Sequence, residues 1–216
     1  MEFFLKSNIQ CVILSHNLSQ KFTDDLTKNL NDYIIYDSSF YGTPFALSFN
    51  LALSLGLDCG DHDWIMVCNN DITLTQTDLD MLSEILSQCS AGVYSPRVIG
   101  AGHGHKHMEW NIGSDRVRKT PWLEFVCPII HRQVASNIGG VDENFTMGYG
   151  VDCDYCYRAR QLDFNVGIIQ PVQIQHFEHK SQGVHLEYRK KAEQEMATEI
   201  IKKYGKNWRK ILDFYP

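Results

Sequence analysis

Four short apolar runs, set apart by stretches with helical spacing, constrain the fold of this chain more than any other feature. Residues 9–15, 33–36, 64–68 and 91–95 are continuous enough to read as buried strands. Between them, residues 19–30 are polar and helix-compatible. Residues 44–55 open on Pro44 and close near Gly56, as helices do. Residues 78–88 place Leu79, Leu82, Ile85 and Leu86 on one helical face. Alternating strands and helices predict an α/β sheet with parallel neighbours. The first three runs end in polar triplets: Ser15-His16-Asn17, Asp37-Ser38-Ser39 and Asn69-Asn70-Asp71. Open α/β sheets bind ligands outside the carboxyl ends of their strands. An Asp beside two amides suits a divalent cation held through oxygen, and equally a turn that caps the next segment.

Composition narrows the class. With 216 residues and 44% hydrophobic content the chain can bury one full core. A net charge of -6 argues against nucleic acid as the main partner. Cations gather at Arg189, Lys190, Lys191, Lys202, Lys203, Lys206, Arg209 and Lys210, which reads as a solvated helical face. Docking to an anionic surface or another domain is the alternative. Seven irregularly spaced cysteines suit reduced thiols and a cytoplasmic setting. Cys153 and Cys156 form a lone C-x-x-C better explained by helix packing than by zinc. No apolar run reaches membrane-spanning length, and the first residues do not read as a signal peptide. A dinucleotide fingerprint and a P-loop are both missing.

The second half departs from the alternation. Residues 97–120 carry four glycines and the alternating His103, His105 and His107, and read as a long substrate loop or a short hairpin. Residues 122–130 are strand-like, 151–162 helical, 165–169 and 172–175 strand-like, and 184–204 a charged amphipathic helix. Trp208, Ile211 and Phe214 are expected to fold back on the body. Asp37, Asp71, Asp152 and His176 all fall at element ends, which suggests one shared crevice.

A specific resemblance enters at Gly139-Gly140-Val141-Asp142-Glu143-Asn144-Phe145, followed by Gly150-Val151-Asp152-Cys153-Asp154 and Arg158-Ala159. This block resembles the "GG-x-D-E-x-F … G-E-D-x-D-x-x-x-R-A" block of the family-2 glycosyltransferases. Asn69-Asn70-Asp71 is similar to their form of the D-x-D motif, and Asp37-Ser38-Ser39 to their D-x-S. Ser15-His16-Asn17 resembles the end of their first strand. Asn50 matches an Asn in the helix after the second strand. Pro171 with His176 resembles the closing P-x-x-x-x-H. These elements stand in the family's order from about residue 10 to residue 181.

The resemblance implies a single GT-A domain over residues 1–216, α/β, with a mixed, mostly parallel central sheet flanked by helices. Residues up to about 96 would bind the nucleotide. Residues from about 97 to 182 would hold metal, acceptor and catalytic groups, and the remainder would be a helical segment. The implied activity moves a sugar from a nucleotide-sugar donor, UDP by default, to a hydroxyl of a glycan or other acceptor. Asp37 would meet the base, while Ser15, His16, Asn17, Asn50, Asn69 and Asn70 would line the donor site. Asp71 and His176 would ligate Mn²⁺ or Mg²⁺, with His179 the alternative to His176. Asp152 would be the general base of an inverting reaction. The chemistry makes sense of those residue types. A divalent ion offsets the charge building on the leaving diphosphate, and a carboxylate takes the proton of the attacking hydroxyl. A retaining transferase and a non-catalytic nucleotide-sugar or glycan-binding domain are the rival readings. The chain could also be one domain of a longer protein. One position departs from the pattern, since Val151 stands where the family has Glu. That puts acceptor positioning in doubt.

Overall fold

The computed structural model describes residues 8–15, 20–38, 43–100, 108–109, 115–177 and 185–212. Three parallel strands form the first half of the sheet: β1 (Ile9–Ser15), β2 (Ile34–Asp37) and β3 (Trp64–Asn69). Between them lie α1 (Gln20–Thr27) and α2 (Phe45–Asp58). After β3 come α3 (Gln76–Leu86), β4 (Gly92–Ile99), β5 (Val117–Lys119), β6 (Ile129–His131) and α4 (Arg132–Ile138). The chain closes with α5 (Val151–Gln161), β7 (Asn165–Gln175), α6 (His185–Tyr204) and α7 (Trp208–Leu212).

The strand order is β2-β1-β3-β6-β4-β7-β5. β6 runs antiparallel to both β3 and β4, and β7 runs parallel to β4. It follows that β1, β2, β3, β4 and β7 share one direction, and their carboxyl ends share one edge. The chain steps from β1 out to β2 and then back across to β3 on the other side of β1. That reversal opens a crevice at the ends of β1 and β3, where α/β sheets bind ligands.

The strands form because they are apolar on both faces. All seven residues of β1 are buried, as are the first five of β3. Each large aliphatic side chain sealed this way contributes about 1.5–3 kcal/mol. α2 lies close on β1 and β3 because Gly56 lacks a Cβ, which would sit 2.5 Å from Ile65 Cγ2. Gly56→Leu would drive the helix off the sheet. α3 begins at a capping box, in which Thr75 Oγ1 accepts from Asp78 N at 3.2 Å and Thr75 N donates to Asp78 Oδ2 at 2.9 Å. The helix therefore starts before Asp78, earlier than its apolar spacing predicts.

Three expectations need correction. Residues 122–130 are not one strand. Only their last two residues join β6, and the rest is a buried loop strapped to β3 through Val67 N to Pro128 O (3.1 Å) and Asn69 N to Val126 O (2.9 Å). The short helix α4 follows and was not expected. The two runs around Pro171 are one strand, β7, whose pairing with β4 skips residues 170–172 as a bulge. At the end of the chain, Trp208 and Leu212 are buried while Ile211 is exposed; Phe214 lies outside the described residues.

Candidate active site

Register alone gathers three of the expected residues. Ser15 pairs with Asp37, and Leu14 with Asn69, so Ser15, Asp37 and Asn69 stand side by side at the carboxyl ends of β1, β2 and β3. Ser38 extends the link. Its N–H and its hydroxyl both donate to Ser15 O, at 2.9 and 3.1 Å. His16, Asn17, His179 and the three alternating histidines lie outside the described residues.

Asn70 turns inward and is almost fully buried. Its Nδ2 donates to Ser15 Oγ (3.3 Å) and to Thr23 Oγ1 (3.0 Å), binding the end of β3 to β1 and α1. Thr23 is a contributor that the sequence reading missed; only its place on the inner face of α1 hints at it.

Asp71 and His176 meet although 105 positions separate them. Beyond β3 the chain doubles against the end of β7. Thr73 N donates to Gln175 O (2.9 Å), Phe177 N to Asp71 O (2.8 Å), and Gln175 N to Thr73 Oγ1 (2.8 Å). His176 N donates to Ile99 O (2.8 Å), which ties the same turn to β4. As a result His176 Nε2 lies 3.3 Å from Asp71 Oδ1, with the carboxylate 1% exposed. Two ligands at right angles around one ion, each about 2.1 Å from it, lie about 3 Å apart. The spacing and the oxygen–nitrogen donor set therefore fit a divalent ion. Among the described residues no group of three His, Cys, Asp or Glu side chains gathers.

A further carboxylate stands nearby. Glu109 Oε1 accepts from Gly100 N at 3.1 Å, just past the end of β4. Gly100 has φ +75°, and a Cβ there would lie 2.7 Å from His176 O. No sequence signal marked Glu109.

Asp152 occupies the first turn of α5, which is favourable for a charged carboxylate. Its Oδ1 accepts from Cys153 N at 2.7 Å. The start of α5 is fastened to the same edge. Tyr155 is fully buried, with its ring 5.7 Å from that of Phe125, next to the Val126 that binds Asn69. Tyr155 also donates its hydroxyl to Gly139 O at 3.2 Å.

Neighbouring positions turn out to be structural. Asp154 is fully buried between Arg158 Nε (2.8 Å), Lys203 Nζ (2.6 Å) and the Tyr204 hydroxyl. Arg158 then donates to Ile138 O and Gly140 O, both at 2.8 Å, so the D-x-x-x-R spacing clamps the Gly139-Gly140 turn. Burial, reinforced by the Asp154 carboxylate, raises the Tyr204 phenol well above its ordinary range. Asn50 is also drawn into this turn. Its Oδ1 accepts from Val141 N (2.7 Å), and its Nδ2 donates to Val141 O (3.0 Å) and Glu143 Oε1 (2.9 Å). Asn50, expected at the donor site, therefore holds the backbone of Val141 through both ends of its amide. Val151 is 1% exposed, so the position that carries Glu in the family is interior here. A carboxylate installed there would be buried and would report on stability before it reported on acceptor binding. Cys153 and Cys156 are buried, unbridged thiols, and burial raises both.

With this geometry established, the chain can be set beside known proteins. No family model matches it. It is 24% identical over 174 residues to the low-salt glycan biosynthesis hexosyltransferase Agl10 of Haloferax volcanii, covering 68% of this chain and 52% of that protein. The chain thus spans about half the length of the curated relative it matches. Among solved structures it superposes on GalNAc-T7, determined with UDP, GalNAc and Mn²⁺. The TM-score is 0.57 at 9% identity, over 78% of this chain and 43% of that one. It also superposes on A197 from STIV with a TM-score of 0.54 at 14% identity, over 79% of this chain and 86% of that one. The fold is that of the GT-A glycosyltransferases. In this GT-A chain the edge that gathers Asp37, Asn69, Asp71 and His176 is the carboxyl edge of the sheet. No described helix is long and apolar enough to cross a membrane.

Proposed function

We propose that this chain is a metal-dependent glycosyltransferase domain, moving a sugar from a nucleotide-sugar, with a UDP-sugar favoured, to a hydroxyl of a glycan or other acceptor. The observation that carries this reading is the meeting of Asp71 and His176 at 3.3 Å on the edge lined by Ser15, Asp37 and Asn69. The relative named as a hexosyltransferase and the GT-A neighbour solved with UDP and Mn²⁺ support it.

Asp37 and Ser15, at the ends of β2 and β1, would face the nucleoside, with His16 and Asn17 beyond them. Asn69 would lie by the ribose. Asn70 holds the strand ends together through Ser15 and Thr23. Asp71 and His176 would hold Mn²⁺ or Mg²⁺, which when bound offsets the charge on the leaving diphosphate. Asp152 would take the proton of the acceptor hydroxyl as its oxygen attacks the anomeric carbon. The bond from that carbon to the phosphate oxygen breaks, the nucleoside diphosphate leaves with the electron pair, and the configuration inverts. Residues up to about 96 make the nucleotide half of the domain, and those from about 97 to 182 the metal and acceptor half.

The test is calorimetry of UDP binding with and without Mn²⁺. Wild type is expected to bind more tightly with the metal, and Asp71→Ala to lose that gain while staying folded. Equal Mn²⁺-dependent affinity in a folded Asp71→Ala protein removes the metal assignment.

A further inference from the structure

Just past β4 a single peptide group has a carboxylate on one side and His176 on the other. Ile99 and Gly100 share that planar unit, so its C=O and its N–H turn together. The C=O accepts from His176 N at 2.8 Å, and the N–H donates to Glu109 Oε1 at 3.1 Å. The fit is close. Gly100 has φ +75°, and a Cβ on it would lie 2.7 Å from both His176 O and Gln175 Nε2. Gln175 Nε2 itself donates to His176 O at 3.3 Å. The turn that carries Glu109 is anchored by its neighbour Met108, which is fully buried.

The N–H of Gly100 needs an acceptor, and at this half-exposed position water would serve. A carboxylate nine positions further along the chain does more. A charge-assisted bond is about twice as strong as a neutral one, and this one sets the tilt of the peptide plane that meets His176. On the other side of His176, Phe177 N donates to Asp71 O at 2.8 Å. His176 thus sits between two backbone anchors, with its Nε2 held 3.3 Å from Asp71 Oδ1. Among the described residues no third His, Cys, Asp or Glu joins that pair, so Glu109 acts on the ligands and is not one of them.

We propose that Glu109 is a positioning residue: through the Ile99–Gly100 peptide it holds His176 where it can share a divalent ion with Asp71. This rests on the metal reading of Asp71 and His176 given above.

The experiment is a titration of the full chain with Mn²⁺ alone, followed by paramagnetic broadening of the amide NMR signals of Asp71 and His176; the same spectra report the fold. Two conservative substitutions separate geometry from charge. Glu109→Gln keeps an oxygen that can accept from Gly100 N and gives up the charge. Glu109→Asp keeps the charge and draws the oxygen back by a methylene. Wild type is expected to bind Mn²⁺ at Asp71 and His176, and Glu109→Gln to match it. Glu109→Asp should bind about tenfold more weakly, the lower end of what losing the partner behind a metal ligand costs. Its Gly100 amide signal should move upfield as the hydrogen bond is lost. An affinity as low in Glu109→Gln as in Glu109→Asp makes the effect one of charge and overturns the proposal. Selective broadening that Glu109→Asp leaves unchanged overturns it too, while the metal assignment stands. Absence of selective broadening in wild type removes the metal assignment itself, and the proposal with it.

Discussion

Asp152 is the residue to which the proposed reaction assigns the proton transfer. It sits on the first turn of α5, where backbone N–H groups favour a charged carboxylate, and it is only partly buried. Asp152→Asn preserves the shape and removes the proton acceptor. Turnover should fall by about 10²-fold or more, the common scale for a general base, with Mn²⁺-dependent UDP affinity unchanged. Single-turnover kinetics on an identified acceptor decide the matter, and wild-type turnover would remove both the base and the inverting mechanism. At this scale the sequence showed which residue types were available but not what each one touches. Asp152 and Asp154 read alike as acids of one helix start. Asp154 is nevertheless enclosed by Arg158, Lys203 and Tyr204, two of them on a helix some fifty positions away. Asn50 read as a donor contact and holds Val141 and Glu143.

At the scale of elements, α6 acts as a brace across the Gly139-to-Asp154 segment. Lys203 bridges Asp142 (2.8 Å) and Asp154 (2.6 Å), Glu195 holds residues 146 and 147, and Tyr188 holds Met147 O. Asp142 shows what this is worth. Burial pushes its carboxyl up, but Lys203 together with Asn144 outweighs burial and brings it down to about 2. The folded value lies below the unfolded one, so the contribution is complete above about pH 4 and is lost as pH falls from 4 towards 2. Its size is about 1–2 kcal/mol, trimmed because water reaches Lys203. Asp142→Asn should therefore lower the urea midpoint at pH 6 and converge with wild type near pH 2. A gap that persists at pH 2 would assign the effect to packing. Elements with a clear period were legible in the sequence: β1 and β3 run where their apolar residues run, and α3 lies under Leu79, Leu82, Ile85 and Leu86. Residues 122–128 misled because a buried loop strapped to β3 is as apolar as a strand, and α4 is too short to show a period.

On the whole-molecule scale, the site is built by the shared direction of five strands. No single segment holds all of it. Asp37, Asn69, Asp71 and His176 come from the ends of three strands, and Asp152 from a helix laid over the loop that flanks β3. A ligand that spans these ends should stabilise the fold as a unit. A nucleotide-sugar at 100 times its dissociation constant adds about 2.7 kcal/mol, provided it binds only the folded chain. The expected outcome is a thermal shift that needs Mn²⁺ and both Asp71 and His176. A shift of equal size without metal would place the ligand elsewhere.

The sequence by itself determined the α/β class, the direction of the first strands, and the residues that stand where those strands stop. Periodicity and apolar runs are local properties, and the polar triplets lie beside the runs they end. Only the tertiary structure decided that Asp71 and His176 lie 3.3 Å apart, that Val151 is interior, that Asp154 is enclosed by Arg158, Lys203 and Tyr204, and that Asn50 bonds the Val141 backbone. Each of these depends on pairings between segments far apart in the chain: 71–73 against 175–177, α2 against the Gly139-Gly140 turn, and α6 against α5. A pairing energy of that kind exists only once the two surfaces meet, so no local pattern in either segment records it.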